Sequence, residues 1–305
     1  MTYDLKSYYI TKGFSIEEAA EFDSEETVEA IENILINAGH QVDKIGCLEQ
    51  LMNRLLAGDR WDLVFNFAEG VYGIGREAQI PALLDAFQIP YTFSSTEILA
   101  TALHKGLTNA VMRTYGVRTA DFQIVRNLKD INKIKIPFPL FVKPISEGTS
   151  KGISRNSHID TKEQLIQQCE FILKTFHQPA LVEAYLPGRE FTVGLIGTYD
   201  NAKVLGVMEV KPTTDADKYA YTFDNKQFYE NRIIYKAVDE PKVAALALKA
   251  WQSLHCRDAG RVDIRMNIKG EPCFMEVNPL AGLNPVYSDL CILCQQIGFP
   301  YEKMV

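Results

Sequence analysis

The chain has 305 residues, 47% of them apolar, and 32 Lys and Arg against 39 Asp and Glu give a net charge of −7. This length and apolar fraction suit two or three domains, or one large one, with a sizeable core. The acidic balance argues against broad binding to nucleic acid or to an anionic membrane, both of which need a basic surface. No stretch approaches the roughly 18 apolar residues of a membrane span. The opening MTYDLKSYYITKG lacks the basic-then-apolar pattern of a signal peptide. Six scattered cysteines fit reduced thiols in a cytoplasmic protein. Cys291 and Cys294 form a lone CxxC without the second pair or nearby histidines of a zinc site, and read as two thiols on one helix face.

Along the chain, Ser15 to Glu18 has the form of a capping box and predicts a helix that continues through Val28, Ile31, Ile34 and Leu35 to a stop at Gly39. WDLVFNF (61–67) predicts a strand, followed by the loop AEGVYGIG, a helix over 78–87 and a short strand or turn at IPYTFSS (89–95). The alternation of helix and strand predicts an α/β layer. A helix is expected over 96–115, strands at 122–125 and 138–143, a helix over 161–175 and a strand at 180–185. Longer strands then follow, EFTVGLIG and KVLGVMEVKP, with a polar stretch at 213–230, a helix around 240–254 and a final hairpin over 260–278. Domain boundaries are placed near residues 96 and 187, giving segments 1–96, 97–187 and 188–305. The chain begins at or within what reads as the first strand of an α/β unit and stops at what reads as the opening of a helix. Its ends are therefore trimmed or rudimentary in this reading.

The hairpin carries the sharpest chemical signal. GRVDIRMN (260–267) and EPCFMEVN (271–278) both alternate, and Lys269-Gly270 between them predicts a two-residue turn. Counting outward puts Asp263 opposite Glu276 and Arg261 opposite Asn278, all on one face. Val262, Ile264, Met266, Cys273, Met275 and Val277 then share the other, apolar face. Two facing carboxylates repel. Either Arg261 pairs with one of them, or their oxygens and that of Asn278 converge on a divalent cation.

Upstream, PLFVKPISEGTSKG (139–152) is an apolar strand ending at Lys143, which runs into a loop with Gly148, Thr149, Ser150 and Gly152. Glycines let backbone N–H groups approach an anion, hydroxyls add donors, and a strand-end lysine supplies a point charge. A surface turn explains the same glycines, and the spacing is not that of a Walker A loop. LVEAYLPGREF (181–191) is an apolar strand carrying Glu183, then Tyr185-Leu186 and Glu190. Its residue types suit an adenine edge and ribose hydroxyls, and equally an ordinary strand and turn. No GxGxxG follows a strand near the start, which argues against a dinucleotide oxidoreductase.

In order along about residues 60–300, IPYTFSSTEILATALHKGLTNAVMRTYGVRT, PLFVKPISEGTSKGIS, LVEAYLPGREFTVGLIG and GRVDIRMNIKGEPCFMEVNPLAGLNP resemble the ATP-grasp superfamily, and within it the D-alanine–D-alanine ligase family. The resemblance implies an α/β (α+β) fold of three domains, with ATP between two antiparallel sheets of the central and C-terminal domains. It implies small amino-acid or amine substrates and a tendency to dimerise. Lys105 and Lys143 match the phosphate lysines, Gly148-Thr149-Ser150 the loop over the phosphates, and Lys226 a lysine of the flap. Glu183, Tyr185 and Leu186 match the adenine contacts and Glu190 the ribose contact. Asp263, Glu276 and Asn278 match the ligands of Mg²⁺ (or Mn²⁺). Arg261 and the Gly282 N–H match the groups over the oxyanion.

The departures fall on the substrate half. The family's first loop serine is Thr149 here, and the tyrosine after the flap lysine is Gln227. That tyrosine bonds the loop serine and an N-terminal glutamate, for which Glu17, Glu18 and Glu21 are candidates, with Glu17 taken first. The family's His-Gly reads Glu69-Gly70, near the first substrate, and Ser288 stands in for the serine that meets the second substrate's carboxylate. The expected activity is ATP-dependent ligation, by D-alanine–D-alanine ligase or a relative using another amino acid, peptide or amine. The rival from another class is an ATP-binding protein without ligase turnover.

Overall fold

A computed structural model describes residues 1–213 and 233–305. Strand β1 (Phe122–Val125), β2 (Leu140–Pro144), β3 (His158–Ile159) and β4 (Ala180–Ala184) form a four-stranded antiparallel sheet in the order β1-β4-β2-β3. Strand β5 (Glu190–Ile196), β6 (Lys203–Pro212), β7 (Ile233–Val238), β8 (Ala259–Met266) and β9 (Pro272–Asn278) form a second one in the order β7-β6-β5-β8-β9. The sequence therefore places its β-branched and aromatic runs on strands as expected. Lys226 and Gln227 lie outside the described residues.

Ahead of the sheets come α1 (Lys6–Thr11), α2 (Glu25–Asn37), α3 (Leu48–Leu56), α4 (Gln79–Ala86), α5 (Thr96–Leu103) and α6 (Lys105–Thr114). WDLVFNF is extended but not a named strand. Thr2 bridges in parallel to Gly46 and Asn66, and Val64 to Tyr91. Ser15 and Glu18 do make a reciprocal capping pair, yet only turns follow, and the helix starts ten residues later at Glu25. Helix α2 buries Val28 and Ile31, as the apolar spacing requires.

The expected helix 96–115 is two helices, broken at His104. The imidazole Nδ1 accepts from the Leu107 N–H at 3.1 Å and restarts the chain as α6, while Thr108 Oγ1 donates to the Thr101 carbonyl at 2.6 Å. The break puts Lys105 at the first position of α6, with its own N–H on the Ile145 carbonyl beside β2. No proline marks it, and Gly106 lies just inside α6.

Helix α7 (Lys162–Thr175) packs on the first sheet. Helix α8 (Pro241–Ser253) buries Val243, Ala247, Ala250 and Trp251 against β5, β8 and β9. Helix α9 (Asp289–Gln296) lays Ile292 and Leu293 against Met208 of β6, and its Leu290, Cys291 and Cys294 join a core with Met1, Phe65 and Met304 of α10 (Tyr301–Met304). All six cysteines are free and buried, so the CxxC is packing. Among the described residues no helix is long and apolar enough to cross a membrane.

The hairpin β8–β9 keeps the expected pairs Arg261↔Asn278 and Asp263↔Glu276, but by a different route. Asn267 pairs with Glu271 around the loop 268–270, where Gly270 takes φ +71. This three-residue loop shifts the register by one, and a β-bulge after Asp263 shifts it back. The consequence is that Phe274, not Met275, packs in the core with Val262, Ile264 and Val277.

Gly260 sits where the hairpin meets α8. A Cβ there would lie 2.5 Å from the Asn278 carbonyl and 2.6 Å from the Trp251 ring. Gly260→Ala is expected to lower stability by about 1–3 kcal/mol, through overpacking. Urea unfolding measures this, and an unchanged midpoint contradicts the close approach.

Candidate active site

On the hairpin face opposite the apolar core, Asp263 is buried and accepts from Thr192 Oγ1 at 2.8 Å and from Asn278 Nδ2 at 3.3 Å, while Arg261 pairs with one of its oxygens. Glu276 pairs with Lys105 Nζ at 3.2 Å. Lys105 also donates to the Glu147 carbonyl at 2.7 Å, which ties the hairpin to the glycine loop. Lys143 pairs with Glu183 at 2.8 Å, and Asn109 Nδ2 donates to the other Glu183 oxygen at 3.0 Å.

Burial pushes the Asp263 carboxyl up to about 7, helped by Glu276 and Asp289 and opposed by Arg261. Burial acts the same way on Glu276, but Lys105, Lys143 and Arg261 overcome it and hold that carboxyl well below the usual range. One of the facing acids is thus crowded by negative charge and the other surrounded by cations.

Two adjoining cavities meet here, and Gly148, Thr149, Arg261 and Asp289 line both. The first, of about 100 Å³, is bordered by Lys105, Lys143, Ser150, Glu183, Tyr185, Leu186, Glu190, Asp263 and Glu276. It lies between the two antiparallel sheets. Arg265 approaches Glu190 at 3.4 Å and lies over the Tyr185 ring, 5.3 Å from its centroid. The second, of about 360 Å³, reaches the N-terminal helices and includes Glu69, Asn278, Gly282 and Ser288. The expected nucleotide residues therefore converge in one cavity, and Arg261 stands at the doorway to the other.

The residues fit a hard divalent cation. Asp263, Glu276 and the amide oxygen of Asn278 offer oxygen ligands only, on one side, which is the open set that Mg²⁺ completes with phosphate and water. No group of three or more His, Cys, Asp or Glu that could hold a metal occurs among the described residues.

Glu17 is exposed and lines neither cavity. Of the three candidate glutamates, Glu21 is the one whose side chain contacts the Gly148 N–H. Its carboxylate accepts from the Gly148 N–H at 2.7 Å and pairs with Arg76 at 2.9 Å and Lys151 at 3.2 Å. Burial opposes ionisation of Glu21, but Arg76 and Lys151 keep its carboxyl below the usual range. This bond fastens the glycine loop directly to the N-terminal segment. Thr149 and Ser150 both take left-handed backbone, φ 48 and 57, at a cost of about 1 kcal/mol or more each. Ser288 Oγ accepts from the Asn284 N–H at 3.0 Å, and Asn284 Nδ2 donates to Thr27 of α2 at 2.8 Å, so the second cavity is cross-braced.

Sequence reading missed Arg76, Asn109, Thr192, Arg265 and Asp289. Strand alternation gave a signal for Thr192 in β5 and for Arg265, which shares the Arg261 and Asp263 face of β8, whereas Arg76, Asn109 and Asp289 act through contacts distant in the chain.

A family model described as the D-ala D-ala ligase C-terminus matches residues 109–305. The chain belongs to the D-alanine–D-alanine ligase family. It is 28% identical over 280 residues to the D-alanine–D-alanine ligase of Aquifex aeolicus (strain VF5), covering 92% of each chain. It is 31% identical to that of Actinobacillus pleuropneumoniae serotype 5b, covering 79% of this chain and 78% of the relative. Uncharacterized protein y4sG of Sinorhizobium fredii is 30% identical, over 80% of this chain and 72% of its own. Among solved structures, D-alanine–D-alanine ligase from Bacillus anthracis superposes with a TM-score of 0.73 at 20% identity, covering 99% of this chain and 93% of that one. These neighbours establish the ATP-grasp fold, with its two antiparallel sheets. By family, the chain is an ATP-dependent carboxylate–amine ligase.

Two outcomes follow from the acids of this family member. Glu21→Ala leaves Arg76 buried and unpaired and is expected to cost about 3 kcal/mol. Adding Arg76→Met to it should restore part of that loss in urea unfolding, and an additive further loss contradicts the pairing. Asp23 is pushed up to about 8 by burial and by Asp4. A raised carboxyl stabilises the fold below its unfolded pKa of about 4, and that contribution is lost as pH rises toward 8. Asp23→Asn should therefore raise the melting temperature at pH 8.5 and change it far less at pH 4. Equal effects at both pH values contradict the burial.

Proposed function

We propose that the protein phosphorylates a small amino acid on its carboxylate with ATP and joins the resulting acyl phosphate to an amine. The observation that carries this reading is the meeting of the two cavities at Arg261. Lys105, Lys143 and the oxygens of Asp263 and Glu276 lie on one side, and a larger, partly open cavity lies on the other.

Glu183, with the Tyr185-Leu186 backbone, positions the adenine, and Glu190 the ribose. Lys105 and Lys143 draw the triphosphate over the hairpin. Asp263, Glu276 and Asn278 would hold Mg²⁺ or Mn²⁺, which when bound neutralises phosphate charge. A carboxylate is a poor acyl donor because oxide would have to leave, and transfer of the γ-phosphoryl group supplies a better leaving group. When the amine attacks, Arg261 and the Gly282 N–H face the oxyanion of the tetrahedral intermediate. The loop 148–150, held by Glu21, covers the reacting atoms and excludes water that would hydrolyse the acyl phosphate. D-alanine is one substrate consistent with this chemistry and is the substrate named for the relatives. Glu69, where the family has histidine, favours another amino acid on at least one side.

Asp263→Ala and Glu276→Ala are each expected to reduce ADP formation at least about 1000-fold with an unchanged circular dichroism spectrum, since charge stabilisation at phosphate carries most of such catalysis. Arg261→Ala should lower ligation far more than it weakens ATP. Undiminished turnover in either acid variant, or an Arg261 effect confined to ATP binding, contradicts the assignment.

A further inference from the structure

The larger cavity carries more carboxyl groups than two neutral amino acids require. Glu21, Asp23, Glu69, Glu77 and Asp289 line it, against Lys6 and Arg261. Glu21 is spoken for by Arg76 and Lys151, and Arg261 by Asp263. The side chains of Asp23, Glu69 and Glu77 accept no hydrogen bond and make no ion pair among the described residues. Asp289 supplies an independent sign of a missing cation. Its side chain is 4% exposed, its Oδ1 is buried without any hydrogen-bond partner, and its nearest base is Arg261 at 3.8 Å. A buried carboxylate oxygen left unmatched costs free energy unless a ligand completes it. Burial pushes Glu77 up to about 7 against the pull of Arg76, with Glu21 and Glu276 adding to it, and burial together with the Glu77 charge pushes Glu69 well above the usual carboxylate range. An ammonium placed between them reverses that repulsion.

A ligation between two zwitterions brings two ammonium groups and two carboxylates. Receptors for the carboxylates are few here: Lys6, the Gly282 N–H, the Ser288 hydroxyl and Arg261, which Asp263 already shares. Receptors for cations are in excess.

We propose that this cavity takes a substrate bearing an additional ammonium group, the simplest class being diamino acids, with Glu69 and Glu77 receiving the side-chain ammonium and Asp289 an amino group beside Arg261. The proposal rests on the ligase reading of the same site, and its test separates the two. The whole protein, with ADP and Mg²⁺ present, is titrated calorimetrically with 2,4-diaminobutyrate, lysine, alanine and aspartate, each as D and L forms. Phosphate release with ATP is measured in parallel.

The expected result is that a diamino acid binds at least about tenfold tighter than alanine of the same hand, and that aspartate gives no heat. Glu69→Gln or Glu77→Gln should each weaken the diamino acid by about tenfold or more, the loss of one charge-assisted hydrogen bond, and leave ADP affinity unchanged. The second variant guards against misfolding of the first. Alanine binding as tightly as any diamino acid, no binding by diamino acids, or a preference that survives in both variants overturns the inference. Binding of diamino acids without phosphate release supports the inference and contradicts the ligase reading. Turnover with alanine and no affinity for diamino acids does the reverse.

Discussion

Asp263 and Glu276 face each other across β8 and β9, and much of the surrounding structure makes that juxtaposition tolerable. Unopposed, two carboxylates at this spacing share a proton or push the strands apart. Lys105, Lys143 and Arg261 surround Glu276, while Arg261, Asn278 and Thr192 satisfy Asp263. Each of these groups comes from a different element. Lys105 opens α6, Lys143 ends β2, Thr192 lies in β5 and Arg261 in β8 itself. The charge balance therefore requires the two sheets to be present and correctly spaced. In the folded chain the hairpin thus presents a face of matched charges, which in the proposed reaction receives phosphate and its counterion.

The N-terminal segment contacts the glycine loop and lines the larger cavity. Glu21 reaches the glycine loop by a backbone hydrogen bond, so the latch runs through a main-chain N–H of Gly148 and the Lys151 ammonium. The strained backbone at Thr149 and Ser150 is sustained by that anchor. The same N-terminal segment contributes Asp23, Glu69 and Glu77 to the larger cavity. Chemistry and choice of substrate are consequently separable. The sheets hold the lysines and oxygens of the smaller cavity, and the N-terminal loops hold most of the acids of the larger one, which in the proposed reaction receives the amino acid.

The local patterns made part of this legible. Strand alternation in GRVDIRMN and EPCFMEVN reported the oxygen face, because side-chain direction along a strand is fixed by covalent geometry. The turn itself was misjudged: Lys269-Gly270 suggested two residues where the loop has three, and only the bulge after Asp263 returned the pairs to their places. Bulges depend on packing across the sheet and leave no local mark, which is also why Phe274 displaced Met275 from the core. The helix break at His104 was hidden for a related reason, since it depends on a side-chain cap and on the Ile145 carbonyl from another segment. Among three candidate glutamates, Glu17 and Glu21 lie four apart, and helical periodicity gives them one face. The chain forms turns there, and burial selected Glu21. Asp289 carried no signal, because its meaning depends on Arg261, 28 positions away in the chain.

The most direct test follows the oxygen atom. An amino-acid substrate labelled with ¹⁸O in its carboxylate is incubated with the protein, ATP and Mg²⁺, and the released phosphate is analysed by mass spectrometry. Activation through an acyl phosphate transfers one labelled oxygen to phosphate at each ligation. Phosphate released without label, while ligated product accumulates, would contradict the account.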